Sequence, residues 1–177
     1  MSNVVLVVDM LKGFLEPGHN LYCGDSSREI IPRVVALLEG ESKAGSTILF
    51  ICDNHEPDDL EFQMFPVHCV KGTEESDVIA ELQKYTTRTN IIPKNRYSSF
   101  YNTNLDRRLK DLTPEKLTIC GVCTDICVLH TAADARNRDY SVEVLTDCVA
   151  TFDPEAHKWA LRHMEGILGV KLLTSAF

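Results

Sequence analysis

Three residue types that can cooperate in nucleophilic catalysis stand just beyond short apolar runs. Asp9 follows Val4 to Val8, Lys94 follows Asn90 to Pro93, and Cys127 comes shortly after Leu117 to Gly121. A cysteine attacks a carbonyl carbon as its thiolate, so it needs a base to take its proton and a positive neighbour to favour the anion. Asp9 can be that base and Lys94 that neighbour. The spacing predicts Cys127 in the first turn of a helix, where unpaired N–H groups and the positive end of the helix dipole favour a thiolate further. The backbone N–H groups of Cys123 and Cys127 can then form an oxyanion hole for a tetrahedral intermediate. Each part also has a plainer reading: a cysteine packed in a core, an aspartate capping a turn, a lysine in water.

A second set of residues occupies Asp53 to Thr73, the one long segment without a regular pattern. A loop of that length in a compact domain is usually functional. Asp53, His55, Glu61 and His68 give two carboxylates and two imidazoles, a donor set suited to zinc, manganese or iron, with waters completing an octahedral shell. Glu56, Asp58 and Asp59 compete with Glu61 for the second carboxylate position. The alternative is an acidic, exposed loop with two surface histidines. Cys69 is a soft donor beside His68, but adjacent residues seldom ligate one ion, so it reads as packing. Cys123 and Cys127 are too far apart in sequence for a Cys-x-x-Cys redox pair.

These residues need elements to position them. Short, mostly apolar runs at Val4 to Val8, Thr47 to Cys52, Asn90 to Pro93, Leu117 to Gly121, Ser141 to Leu145 and Val170 to Leu173 read as strands, the first of them buried on both faces. Between them, Arg28 to Glu39, Glu74 to Tyr85, Asn102 to Leu112, Asp125 to Arg138 and Asp153 to Leu168 read as helices. The last opens on an aspartate N-cap with Pro154 at the first helical position. Regular alternation predicts an α/β, doubly wound, six-stranded parallel sheet in the order 3-2-1-4-5-6, with helices on both faces, as one domain over 1–177. Such sheets bind ligands beyond the carboxyl ends of their strands at the switch point, here between the first and fourth strands. That is where Asp9 and Cys127 would face each other.

Composition narrows the function. The chain has 177 residues, 44% hydrophobic and 25% charged, as in an ordinary globular protein. A net charge of -8 argues against nucleic acid as a partner and favours a small molecule. The amino terminus has no basic stretch or cleavage site of a signal peptide, and no run approaches the roughly 20 apolar residues of a membrane span. Seven scattered cysteines, several inside apparent strands, suit a reducing compartment, so the expected location is cytoplasmic.

Taken together, these stretches resemble the isochorismatase-like cysteine hydrolases, and among them the nicotinamidases. The resemblance rests on Val7-Val8-Asp9-Met10 with Phe14, on Asp53-Asn54-His55, and on Phe65-Pro66-Val67-His68-Cys69-Val70-Lys71-Gly72-Thr73. It continues through Lys94-Asn95-Arg96-Tyr97-Ser98-Ser99-Phe100 to Gly121-Val122-Cys123-Thr124-Asp125-Ile126-Cys127-Val128 and Thr131-Ala132-Ala133-Asp134-Ala135. It covers nearly the whole chain, and the joint order of the motifs is its strength.

The resemblance implies a triad of Asp9, Lys94 and Cys127, and a cis peptide bond before Cys123 that turns its N–H toward the oxyanion. It implies one divalent metal ion, zinc first and manganese or iron next, held by Asp53, His55, Glu61 and His68. Many nicotinamidases have a third histidine between the last two histidine positions. This chain departs from them, and Glu61 matches a subgroup with glutamate there. The implied activity is hydrolysis of nicotinamide to nicotinate and ammonia in NAD salvage, with Phe14, Phe65 and Tyr101 packing against the ring. Relatives acting on isochorismate or N-carbamoyl compounds, and a non-catalytic metal-binding relative, are the alternatives. A homodimer or homotetramer is the form common among such proteins.

Overall fold

The buried apolar runs assemble into the expected sheet in the computed structural model, which describes residues 3–175. The strands are β1 (Val4–Val8), β2 (Thr47–Asp53), β3 (Ile91–Lys94), β4 (Leu117–Val122), β5 (Val142–Ala150) and β6 (Lys171–Leu173). Their order is β3-β2-β1-β4-β5-β6, and every pairing is parallel. β1 is buried along its whole length between β2 and β4, which explains an apolar run without alternation.

Helices cover both faces. Val5, Val7, Phe50 and Cys120 pack with α2 (Ile30–Lys43) on one face. Val4, Leu6, Val8, Leu49 and Ile119 pack on the other with α3 (Leu105–Leu112), α4 (Leu129–Arg136) and α5 (Pro154–Gly166). A short helix, α1 (Lys12–Leu15), follows β1 and was not anticipated. α2 runs past Gly40 and stops where Gly45 takes a φ of 80°, the usual left-handed helix exit. Asp153 caps α5 as expected, accepting from the Glu155 N–H at 2.8 Å.

Four expectations about elements need correction. Glu74 to Tyr85 is not a helix but two 3-10 turns, Glu74–Ser76 and Ala80–Tyr85. The residues between them pair with the start of α1 instead: Leu11 bridges Val78, Lys12 N–H donates to Asp77 O, and Ile79 N–H donates to Met10 O. α3 starts at Leu105 because Asn102 has a φ of 53°, outside the right-handed helical region. β5 extends to Ala150, with a register shift opposite Ile119 to Gly121. Thr146 and Asp147 sit in that irregular stretch and bond to Leu173 and Ser175, so their polarity hides a strand. The residues before α4, Thr124–Val128, form a wider turn in which the Val128 N–H donates to Cys123 O, five residues back. Cys127 therefore lies in this π-type turn and not in the first turn of a regular helix.

Gly121 closes the switch point. Its φ is 114°, and a Cβ there would lie 1.9 Å from the Val8 carbonyl oxygen. Only glycine lets β1 and β4 approach this closely before the chain turns toward Cys127.

Candidate active site and metal centre

Parallel pairing brings the carboxyl ends of β1, β2, β3 and β4 together, and with them Asp9, Asp53, Lys94 and Cys127. Asp53 stands opposite Lys94 in the β2–β3 register. The Asp53 N–H donates to Asp9 Oδ1 at 2.8 Å, which ties β1 to β2 at this end. Lys94 is buried, and its ammonium contacts three groups. It pairs with Asp9 Oδ2 at 2.8 Å and with Asp53 Oδ1, and it lies 3.5 Å from Cys127 Sγ. Burial opposes the charge on Lys94, but Asp53 and Asp9 outweigh it and hold its pKa well above the ordinary lysine value. Burial also opposes ionisation of Asp53, yet Lys94 and His55 bring it to about 2. For Asp9, burial and the nearby Asp53 charge prevail over Lys94 and raise the carboxyl to about 7. A carboxyl titrating there can both take and give a proton near neutral pH.

Cys127 is buried at the end of this group. Burial pushes its thiol well above the ordinary cysteine value; Lys94 pulls it down, while Asp9 and Asp53 push it up again. Its sulfur lies 3.5 Å from the Lys94 ammonium, beside the Asp9 carboxyl that Lys94 also holds. The Val122–Cys123 peptide is cis. Cys123 and Cys127 both line the cavity. The sulfur beside Cys123 belongs to Cys23, at 3.6 Å, a neighbour that sequence spacing does not reveal.

Next to this group lie the loop residues. Asp53, His55 and His68 present ligand atoms that are all within 4.8 Å of one another. Asp53 Oδ2 is 3.6 Å from His55 Nε2 and 3.8 Å from His68 Nε2. Glu61 Oε1 joins them at 4.0 Å and 3.8 Å from the same nitrogens. All four residues are buried. Each histidine has its Nδ1 engaged elsewhere, His55 with Asp59 Oδ2 at 3.0 Å and His68 with Pro66 O at 2.7 Å. In the neutral rings those contacts leave both Nε2 atoms as lone-pair donors, beside the carboxylate oxygens a metal would share with them. His55 Nε2 and Glu61 Oε2 have no hydrogen-bond partner. Burial opposes a positive His55, but Asp53, Asp59 and Glu61 prevail and raise it to about 9. The centre draws positive charge, and its hard and borderline donors fit a divalent metal. Asp9, Asp53 and Cys127 are also close enough to hold an ion. The Lys94 ammonium already fills that position.

Both groups open on one small cavity, whose lining includes Asp9, Asp53, Glu61, His68, Cys123 and Cys127. Phe14 and Phe65 line it as expected, with ring centres 5.8 Å and 6.4 Å from that of His68. Tyr101 does not line it: the residue is 59% exposed, at the end of a turn in which its N–H donates to Ser98 O at 3.2 Å. Tyr97 lines it instead, edge-on to Phe65 with ring centres 6.3 Å apart. Leu21 and Ile126 complete the apolar wall and carry no sequence signal that separates them from core residues. Of the competing loop carboxylates, Asp58 is exposed and Glu56 pairs with Lys71 at 2.9 Å.

The family model described as the isochorismatase domain matches residues 3–176, and the chain belongs to that family. A crystal structure of nicotinamidase/pyrazinamidase PncA from Bacillus subtilis is 32% identical, covers 97% of this chain and 99% of its own, and superposes with a TM-score of 0.90. The pyrazinamidase of Pyrococcus horikoshii, solved in complex with zinc, is 28% identical over 99% of this chain and 100% of its own, with a TM-score of 0.89. N-carbamoylsarcosine amidase from Thermoplasma acidophilum is 29% identical over 100% of this chain and 98% of its own, with a TM-score of 0.87. Among the described residues, no helix is long and apolar enough to cross a membrane.

Proposed function

We propose that this protein is a cysteine amidohydrolase that converts nicotinamide to nicotinate and ammonia, as part of NAD salvage in the cytoplasm. The observation that carries the proposal is the single ammonium of Lys94 in contact with Asp9, Asp53 and Cys127, on the edge of a cavity that also presents the metal donor set. Asp53, His55, Glu61 and His68 would hold a divalent metal, with zinc supported by the Pyrococcus horikoshii relative and manganese or iron also suited to the second carboxylate. When bound, the metal supplies a Lewis acid that receives the pyridine nitrogen and so sets the orientation of the ring.

The chain's own residues do the rest. Phe14, Phe65 and Tyr97 pack against the ring and exclude water. Asp9 takes the proton from Cys127, and the sulfur attacks the carboxamide carbon while Lys94 stabilises the developing negative charge. The N–H groups of Cys123 and Cys127 donate to the tetrahedral oxyanion. Collapse breaks the C–N bond, and Asp9 returns its proton to the departing ammonia. Water then attacks the thioester with Asp9 as base, releasing nicotinate and restoring the thiol.

The family also contains enzymes for other amides, such as the N-carbamoylsarcosine amidase relative. Isochorismate fits poorly, because a dianion would face Asp9, Asp53 and Glu61 on the cavity wall. The deciding assay is ammonia release from nicotinamide by the wild-type protein and by Cys127→Ala, each with and without chelator. Turnover by metal-loaded wild type alone supports the proposal. Turnover of N-carbamoylsarcosine but not nicotinamide by that same sample would move the assignment to the other amide class.

A further inference from the structure

We infer that Asp59, which is not itself one of the converging donors, is the residue that positions two of them, His55 and Glu61, at once. The inference rests on the metal site proposed above. Asp59 is the buried member of the three loop carboxylates that sequence alone left in competition with Glu61, with a side chain 4% exposed. Its Oδ2 meets His55 Nδ1 at 3.0 Å. Its Oδ1 accepts from the Glu61 N–H at 2.9 Å and so caps the turn Leu60–Gln63 that carries Glu61. Arg96 Nη1 reaches both oxygens, at 2.8 Å and 3.0 Å, and holds the carboxylate in place.

A neutral imidazole has one N–H. A carboxylate can only accept, so Asp59 draws that N–H to Nδ1 and leaves the lone pair on Nε2. It is this Nε2 that faces Asp53 Oδ2 and Glu61 Oε1 without a hydrogen-bond partner. His68 achieves the same tautomer differently, through the neutral carbonyl of Pro66. Asp59 is therefore a positioning residue, one step removed from the metal, and Arg96 is its anchor. The strand end that delivers Lys94 to the nucleophile delivers Arg96 to the metal ligands.

Asp59→Asn is the discriminating substitution. The amide has one acceptor oxygen where the structure asks for acceptors toward Glu61 N–H, His55 Nδ1 and Arg96. With its oxygen kept on the Glu61 N–H, its NH₂ faces His55 Nδ1, and the ring must place its proton on Nε2 instead. The test uses the full chain. Zn²⁺ affinity is measured by competition with a chromophoric chelator, and the His55 tautomer by ¹⁵N NMR of the metal-free protein at a pH above the raised His55 value of about 9, where the ring is neutral. Asp59→Asn should lose about 10- to 100-fold in Zn²⁺ affinity and shift the His55 proton to Nε2, with Asp58→Asn matching wild type in both. Affinity within about twofold of wild type, or an unchanged tautomer, overturns the inference. Should Asp59→Asn fail to fold, Arg96→Met replaces it, and an unaltered Zn²⁺ affinity in that variant overturns the inference equally. A wild type that does not bind Zn²⁺ would sink the metal site itself, while the tautomer measurement would still decide the role of Asp59.

Discussion

Replacing Lys94 by methionine tests the core of the site most directly. Methionine keeps most of the buried stem and removes the ammonium. Asp9 and Asp53 then share a dry pocket without their common counter-ion, joined through the Asp53 N–H to Asp9 Oδ1 contact of 2.8 Å. Removing one partner from a buried ion pair typically costs about 3–5 kcal/mol, because the remaining charge is stranded. For a chain of this length each kcal/mol moves the melting temperature by about 2–4 °C, so a fall of about 6–20 °C is expected. The measurement is thermal unfolding by circular dichroism near neutral pH in chelator-containing buffer, so that no metal compensates. Removing the whole charged group should be far milder than removing its centre. The triple variant Asp9→Asn, Asp53→Asn, Lys94→Met should therefore regain more than half of the loss while staying inactive. A Lys94→Met protein melting within about 2 °C of wild type would refute the reasoning, since the two carboxylates would then not depend on the ammonium.

Cys127→Ala should lower ammonia release by about a thousandfold or more with little change in melting temperature, and residual activity within tenfold of wild type would rule out Cys127 as the nucleophile. Gly121→Ala should fail to give soluble folded protein or melt far below wild type, because its Cβ would meet the Val8 carbonyl at 1.9 Å. Gly40→Ala, inside α2 with nothing within 4 Å of the new Cβ, should instead gain about 0.5–1 kcal/mol, read as a higher denaturant midpoint. Glu143 is held below the ordinary glutamate value; burial opposes this, but Lys116 at 2.6 Å and Lys171 at 3.1 Å prevail. A lowered carboxyl adds stability above its unfolded pKa and loses it as pH falls through the folded value. Glu143→Gln should thus melt lower than wild type near neutral pH, by less than about 1 kcal/mol given the partly exposed lysines, and converge with it as the pH falls through the lowered value. Parallel curves across that range would count against the ion pairs.

The sheet was readable because its central strands are buried on both faces, so Val4 to Val8 and Leu117 to Gly121 stand out as unbroken apolar runs. Asp9, Asp53, Lys94 and Cys127 were readable because a parallel sheet gathers its carboxyl ends, and each interrupts or follows such a run. The segment from Glu74 to Tyr85 misled because Val78, Ile79 and Leu82 have helical spacing, while the backbone partners of Asp77 to Ile79 lie in Met10 to Lys12, far away in sequence. Tyr97 and Tyr101 carry the same chemistry in one motif. The chain turns between them, with the Tyr101 N–H donating to Ser98 O, and one ring lines the cavity while the other lies in solvent. Cys23 beside Cys123 is a tertiary contact with no local trace. Asp59 differs from its acidic neighbours through His55, the Glu61 N–H and Arg96, and the last is a partner beyond β3 that loop composition does not reveal.

Asp53 belongs to two assemblies at once. One of its oxygens pairs with Lys94 and the other faces the histidines. The two halves of the site are therefore not interchangeable modules. A designer who removed the histidines and Glu61 to obtain a metal-free hydrolase would have to keep Asp53, because Lys94 and the base both lean on it. Conversely, grafting the metal loop onto another parallel sheet would fail unless a lysine arrived on the adjacent strand. Substitutions at Asp53 and Lys94 should be inherited as a pair, and changes in the donor set should be confined to the loop residues beyond β2.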